Sequence, residues 1–482
     1  MSKKEFPEII FYDNDFVDVY AKAWAVLQNF WYQPSKEEET PDGYLFYPNA
    51  NENPDAPLII DQMDAIWSSF FLVYSNRNFA GGSALSFLYD RQEEDGAIRC
   101  RYDFRSKEPI LSAENPDGVG LPLFAWAEFN LFHKTGNKKR VKEVFPCLHK
   151  YMMWLEKFKD ENGLYATPLG ATGMTNSPRR DAKYFIDFNV SVAINALYMT
   201  SLADILNDKD MNFVFKRQYF MLKTKINSLM WDEETGFYYD LDSEGRKVMR
   251  KTIAAFWPLI AEIPNEDKAE RMVQHLTNPE EFGAEHPFPS LSMDDPDFTP
   301  DGDGFRGSVF PQYTFMVIKG LEKYQRYELA RESTLKHLYF LLEVLSPEGE
   351  RYKGSYWEAY LPNKEAPARN ITFSEEFPRQ NYILTIPLST VTLMIENVIG
   401  LSISLSRKTV DWTIPSVEAM GIQNLLLKRN HISIRSEKDE RGQWMIRMRS
   451  EKLYYFTINI LGLKKKTLPI PSGMCSMNLD KI

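Results

Sequence analysis

A turn glycine followed by extended residues closes one helical run after another in this chain: Asp95-Gly96-Ala97-Ile98, Asn162-Gly163-Leu164-Tyr165 and Thr235-Gly236-Phe237-Tyr238. These glycines lie 67 and 73 residues apart, about the length of two helical hairpins. A fourth connector, Glu348-Gly349-Glu350-Arg351-Tyr352, comes after a gap of 113 residues, and the Pro/Asp-rich stretch from Glu285 to Gly304 supplies the insertion that gap needs. Repetition at a near-constant period points to one supersecondary unit used again and again. The helical runs between the connectors are of two kinds. Val141, Val144, Phe145, Leu148, Tyr151, Met152, Leu155 and Phe158 recur at steps of three and four and mark a helix with one buried face. The run from Val190 to Leu206 is apolar almost all round and fits a helix buried on both sides. Alternation of the two kinds suggests an inner ring of helices enclosed by an outer one, with loops at one rim forming a site.

Past about residue 405 the period changes from 3.6 to 2. His431-Ile432-Ser433-Ile434-Arg435, Trp444-Met445-Ile446-Arg447-Met448 and Leu453 to Ile460 alternate apolar and polar residues, with Glu437 to Gln443 as a turn. The division is therefore an N-terminal segment 1–59 packed on the helices, a helical domain 60–405 and a small antiparallel β appendage 406–482. Residues 40–58, rich in Pro, Asn and Asp, read as a loop or short hairpin covering one end of the helical domain.

With 482 residues, 44% of them apolar, the chain can bury a large core. Its net charge of −10 argues against nucleic acid and anionic membranes as partners. The apolar stretch from Tyr382 to Leu405 carries Pro387, Glu396 and Asn397 and reads as a buried core helix rather than a membrane span. Cys100, Cys147 and Cys475 are far apart and odd in number, which reads as free thiols. Lys3 and Lys4 are followed by Glu5, Asp13 and Asp15, which interrupt any signal-like apolar core, so the expected location is the cytoplasm. Scattered histidines and the lack of a Cys cluster argue against a dedicated metal site, and no cofactor is expected. The run Asp301-Gly302-Asp303-Gly304 has a calcium-like look but lacks EF-hand ligand spacing and its terminal Glu.

Chemistry concentrates in Tyr356-Trp357-Glu358-Ala359-Tyr360-Leu361-Pro362, a carboxylate among aromatic rings. Pyranose C–H faces stack on rings, and a carboxylate can direct a water at an anomeric carbon. A surface glutamate at a helix end is the plainer reading of Glu358.

Five motifs, taken in order, resemble the (α/α)6-barrel glycosidases of the trehalase and glycoside hydrolase family 63 group, including the branch acting on mannosylglycerate and glucosylglycerate. Asp61-Gln62-Met63-Asp64 followed by Trp67-Ser68-Ser69-Phe70-Phe71 is similar to the family's Trp-Asp-Ser-x-Phe opening, with Met63 in place of its Trp. Leu121-Pro122-Leu123-Phe124-Ala125-Trp126-Ala127 resembles a Gln-Pro-Pro-x-x-Ala-Trp helix start, and Phe305-Arg306-Gly307-Ser308-Val309-Phe310 resembles Trp-Arg-Gly-Pro-x-Trp. Trp357 to Pro362 is similar to Trp-Glu-Asn-Tyr-x-Pro, and Leu393 to Leu401 to the closing Leu-Ile-Glu-x-Ile-Gly helix. The resemblance implies a mainly α (α/α)6 barrel, a six-hairpin toroid, carrying a small C-terminal β appendage. It also implies an inverting mechanism with Glu358 as general base, acting on an α-glucoside or α-mannoside. An acid and a base stand roughly 6.5–9.5 Å apart in such enzymes, leaving room for the attacking water. By motif, Asp64, Trp67, Trp126, Asn176, Arg179, Arg306, Tyr356, Trp357 and Tyr360 become candidate saccharide contacts.

The family's general acid is the Asp of Gly-Met-Asp-Asn-x-Pro-Arg. In Gly173-Met174-Thr175-Asn176-Ser177-Pro178-Arg179 that position is Thr175, whose hydroxyl cannot donate a proton near neutral pH. Three explanations stand open. Another carboxylate (Asp181, Asp187 or Asp64) supplies the proton, the leaving group needs little protonation, or the barrel binds sugar without cleaving it. The plainer readings are a turn cap for Thr175, a solvated pair for Arg179 and Arg180, a helix N-cap for Asp187, core packing for Trp67, and a rim-shaping role for His286. Sugar epimerase or lyase chemistry on the same fold would need paired histidines or a Tyr/His set, which the scattered histidines do not suggest.

Overall fold

A computed structural model describes residues 6–35, 42–345, 354–373, 376–427 and 430–479. It is mostly helical, with a β region at the C-terminal end. The helices are α1 (Asn14–Phe30), α2 (Gln62–Leu72), α3 (Ser83–Tyr89), α4 (Phe124–Thr135), α5 (Lys138–Leu155), α6 (Ile186–Leu206), α7 (Lys209–Lys225), α8 (Glu266–Thr277), α9 (Pro311–Lys323) and α10 (Tyr327–Leu345). Beside several shorter helical turns there are a 3₁₀ helix, Ile253–Leu259, and a π-helix, Leu388–Val398.

Local chemistry explains the hairpins. Gly136 ends α4 with φ 64°, and Asn137 then caps α5 by accepting a hydrogen bond from Arg140 N. Asn207 ends α6 with φ 61°, and Asp208 caps α7 by accepting from Met211 N. In both corners a residue that tolerates the left-handed region reverses the chain, and an Asx side chain satisfies an orphan amide of the next helix. Gln325, with φ 58°, turns the chain between α9 and α10. The connector glycines behave as expected, with φ 99° at Gly96, 87° at Gly163 and 70° at Gly236. The connector around Gly349 lies outside the described residues.

Among the described residues, six segments pack in a closed succession: α2 on α4, α4 on α6, α6 on the 3₁₀ helix, that helix on α9, α9 on the π-helix, and the π-helix on α2. Helices α1, α3, α5, α7 and α10 lie against members of this succession. As the all-round apolar pattern requires, α6 buries nearly its whole length, whereas α5 buries the single stripe read from its periodicity. The stretch that begins at Tyr382 is a buried helical turn and a π-helix, but it gives way to strand at Leu401.

The β region differs from a simple antiparallel appendage. One sheet has the order Glu8–Ile10, Gly421–Leu427, Asn430–Lys438, Trp444–Ser450, Gly473–Asn478; the other has Leu401–Ser404, Thr409–Ile414, Tyr454–Ile460, Lys464–Ile470. Strand 454–460 leaves the sheet of 444–450 and pairs in parallel with 409–414, a crossover that alternation cannot reveal. The chain's first strand enters the C-terminal sheet, with Glu8 opposite Gln423. Part of the 40–58 segment is described: Tyr44–Leu45 pairs with Trp31–Tyr32 as a short hairpin.

Candidate active site

The starts of α2 and α9 and the loops that precede α4, α6 and the π-helix come together around a cavity of about 310 Å³. Its wall takes Asp61, Asp64 and Trp67 from the start of α2, Thr172 and Gly173 from the loop before α6, and Gln312 and Tyr313 from the start of α9. Glu358, Arg379 and Tyr382 complete it from the loop that precedes the π-helix. Helix N-termini carry unsatisfied amides and a positive end of the dipole, so carboxylates around this cavity are favourably placed.

Each charged group is held in its own way. Asp61 caps α2, its Oδ1 accepting from Met63 N at 2.8 Å, while Arg101 approaches its Oδ2 at 3.5 Å. Glu358 forms a bidentate pair with Arg379, receiving Nη2 on Oε1 at 2.7 Å and Nε on Oε2 at 2.9 Å, and the Arg379 amide adds a third bond at 3.2 Å. The guanidinium lies 4.0 Å from the centre of the Tyr382 ring. Tyr382 in turn donates to Asp64 Oδ1 at 2.9 Å. Asp64 is therefore linked through a phenol and a guanidinium to Glu358. Burial, then the charge of Asp61, pushes the Asp64 carboxyl up to about 7, although Arg379 and the Tyr382 hydroxyl oppose the shift. Burial also raises Tyr382 well above the usual phenol value, with Asp64 next in effect, so its hydroxyl stays a donor. Tyr47, Trp67, Phe305, Phe310, Tyr313 and Tyr382 provide ring faces around this polar strip.

Sequence candidates divide sharply in the structure. Asp64, Trp67 and Glu358 share the cavity. The others lie elsewhere. Arg179 is fully buried behind the wall, clamped by Asp187 at 2.6 and 3.0 Å and by Asp240 at 2.8 and 3.1 Å. Arg179 and Asp187 thus form a structural ion cluster that fixes the loop to the start of α6, leaving neither a free guanidinium for sugar nor a free acid. Asp187 stands in the first turn of α6, whose N-cap residue is Phe185. Asp181 is exposed. Asn176 spends both ends of its amide on the 303–305 turn, donating to Asp303 O at 2.7 Å and accepting from Phe305 N at 2.8 Å. Thr175 is half-buried beside Asn176, while Thr172 and Gly173 reach the wall in its place.

Arg306 is turned to Asp297, with Nη2 to Oδ1 at 3.2 Å. Trp126 lies in the core, edge-on to Phe70 and stacked with Tyr198 and Phe315. None of the rings beside Glu358 in sequence lines the cavity: Tyr356 and Tyr360 are buried, and Trp357 is half-buried, its amide donating to the Tyr360 hydroxyl. His286 is not on the rim but buried, with Nδ1 3.0 Å from Leu361 O and Nε2 2.7 Å from His337 Nδ1. Asp303 accepts hydrogen bonds from Ile371 N, Thr372 N and Thr372 Oγ1, which accounts for its place in the acidic glycine run. Arg379, Tyr382, Tyr47 and Tyr313 are wall residues that the sequence reading missed. Arg379 stands 21 residues beyond Glu358 in an irregular stretch, where no period or spacing ties the two together.

Residues 82–377 match the model of the mannosylglycerate hydrolase MGH1-like glycoside hydrolase domain. The chain belongs to this glycoside hydrolase family. Residues 400–482 match the trehalase C-terminal domain, so both parts point to the same group. An uncharacterized protein of Borreliella burgdorferi is 49% identical over 483 residues, 100% of either chain. A mannosylglycerate hydrolase of Thermus thermophilus is 30% identical over 143 residues, 27% of this chain and 34% of that one. The crystal structure of a GH63 mannosylglycerate hydrolase from Thermus thermophilus in complex with glucose superposes with a TM-score of 0.59 at 19% identity, covering 77% of this chain and 99% of the other. That likeness shows a shared fold for this MGH1-like glycosidase.

Proposed function

We propose that this glycoside hydrolase cleaves an α-glucoside or α-mannoside of a small or oligomeric saccharide with inversion, and that Glu358 is the general base. In this reading the closed helical succession is the inner layer of an (α/α)6 barrel, and the saccharide enters at the rim of helix N-termini. The observation that carries the proposal is the presence of Glu358, the motif carboxylate, on the wall of a cavity that also holds ring faces and two further carboxyls, Asp61 and Asp64. Two buried polar atoms on that wall, Gln312 Oε1 and Thr385 Oγ1, have no hydrogen-bond partner among the described residues, and a polyhydroxylated ligand would supply one. Glu358 Oε1 accepts a single bond from the guanidinium, which leaves a lone pair for a water. Three free cysteines support a cytoplasmic location, to be checked by cell fractionation.

The decisive test uses α-glucosyl and α-mannosyl fluorides, whose leaving group departs with little acid assistance. Glu358→Gln should lower turnover by at least about 10²-fold, the low end for loss of a positioned base. The first-formed hydrolysis product, followed by NMR, should be the β anomer. Unchanged turnover in the variant, or retention of configuration, refutes the reading.

A further inference from the structure

With Thr175 off the wall, the proton for the departing oxygen needs another source, and the cavity narrows the choice. Asp181 is exposed, and Asp187 is clamped to Arg179 at zero exposure. Among the described wall residues the carboxyls are Asp61, Asp64 and Glu358. Asp61 is occupied by the N-cap of α2 and by Arg101, and Glu358 by Arg379. Asp64 differs from both. Its Oδ1 takes the Tyr382 hydroxyl, and its Oδ2 makes no hydrogen bond within the described protein while the residue lines the cavity. The Tyr382 hydroxyl on Asp64 Oδ1 and the Arg379 guanidinium on Glu358 give the two carboxyls of this one cavity different partners. Environments that set two carboxyls of one site apart mark the acid and the base.

We propose that Asp64 is the catalytic proton donor of this glycosidase, standing in for the carboxyl absent at Thr175. The inference rests on the reading of Glu358 as base. In the step, water attacks the anomeric carbon and gives a proton to Glu358, the bond from that carbon to the aglycone oxygen breaks, and the aglycone oxygen takes the proton from Asp64 Oδ2. Asp64 is left as a carboxylate and Glu358 as an acid, and exchange with solvent protons restores both. A carboxyl that titrates at about 7 is half in the required protonated form at neutral pH.

The test compares glycosides of one sugar carrying progressively poorer leaving groups, from the fluoride through nitrophenyl to alkyl, in the wild type, Asp64→Asn and Glu358→Gln. Asp64→Asn should lose about 10²–10⁴-fold on the alkyl glycoside and less than about tenfold on the fluoride. The basic limb of its pH profile should vanish. Asp64→Glu, which keeps a carboxyl, should retain the wild-type dependence on leaving group. An equal loss on every substrate would make Asp64 a saccharide contact and overturn the proposal, as would no loss on any. Failure of Glu358→Gln to affect the fluoride refutes the base assignment separately, and a wild type inert toward all of these substrates refutes both.

Discussion

Arg379 shows how one side chain can govern two carboxyls. It holds Glu358 by two guanidinium bonds, and its charge lowers the pKa of Asp64 against the push of burial. Replacing it with Met keeps the stem that packs on Tyr382 but removes the charge. Asp64 should then titrate above its present value of about 7, so the basic limb of kcat/KM should move to higher pH while kcat falls. A pH profile of Arg379→Met checks this, and a basic limb that stays put or moves down would contradict the arrangement. Little of this was legible beforehand. Glu358, Asp64 and Trp67 were marked by short motifs, and all three reach the cavity. Asn176, Arg179 and Arg306 belong to the same kind of motif, yet their polar groups are consumed in holding loops together. A motif preserves residue type whether the residue meets substrate or supports the residue that does. Only the three-dimensional arrangement separates the two.

The loop bearing Glu358 is secured from beneath by a hydrogen-bonded line whose polarity can be deduced. Leu361 O can only accept, so His286 donates from Nδ1; its Nε2 then accepts from His337 Nδ1, and His337 Nε2 accepts from Ser389 Oγ on the π-helix. Both rings must be neutral for the line to hold. Burial lowers His286 to about 3, and burial together with His286 puts His337 well below the usual value. The unfolded histidines titrate near about 6.5, so above that pH the full stability is present. As pH falls below it the unfolded chain takes up protons that the native state refuses, and stability declines until His286 itself titrates near 3. Each histidine contributes a slope of up to about 1.4 kcal/mol per pH unit over that window. His286→Asn should be less stable at pH 7 yet show a shallower loss from pH 6 to 4, read from urea midpoints; an unaltered slope would exclude the linkage. At this level the sequence was more informative. The one-sided stripe of α5 and the all-round apolarity of α6 are consequences of 3.6-residue periodicity and appear as read. The parallel pairing of 409–414 with 454–460 was not legible, because alternation fixes the face of a strand but not its neighbour.

Near the C-terminal ends of α4, α9 and the π-helix a buried charge cluster joins the helices. Glu396, near the end of the π-helix, accepts from Lys319 of α9 at 2.7 Å and from the Tyr74 hydroxyl, and lies 3.4 Å from Lys134 of α4. Three members of the helical succession thus meet at one carboxylate. Although burial opposes it, the two lysines hold that carboxyl down at about 2. Four residues on, Gly400 turns with φ 83° into the first strand of the β region, and Trp412 of that region donates to Ile399 O at 2.7 Å. The strand Glu8–Ile10 ties the other end of the chain into the same β region before α1 packs on α10 and the π-helix. Disturbing Glu396 should therefore reach both parts of the protein. In Glu396→Gln, Lys134 loses its carboxylate while Lys319 keeps Glu322 at 3.1 Å, so the cost should fall toward the low end of the range of about 3–5 kcal/mol for breaking a buried ion pair. Lys134, whose charged form burial already disfavours, should respond first by giving up its proton, which trims that cost. The expected result is a large drop in the urea midpoint, with helix content by circular dichroism and Trp412-weighted fluorescence moving along one common curve. If the fluorescence of the β region keeps its wild-type midpoint while the helical signal shifts, the helical ring and the sheets unfold independently, and the contacts of Glu396, Ile399 and the N-terminal strand do not couple them.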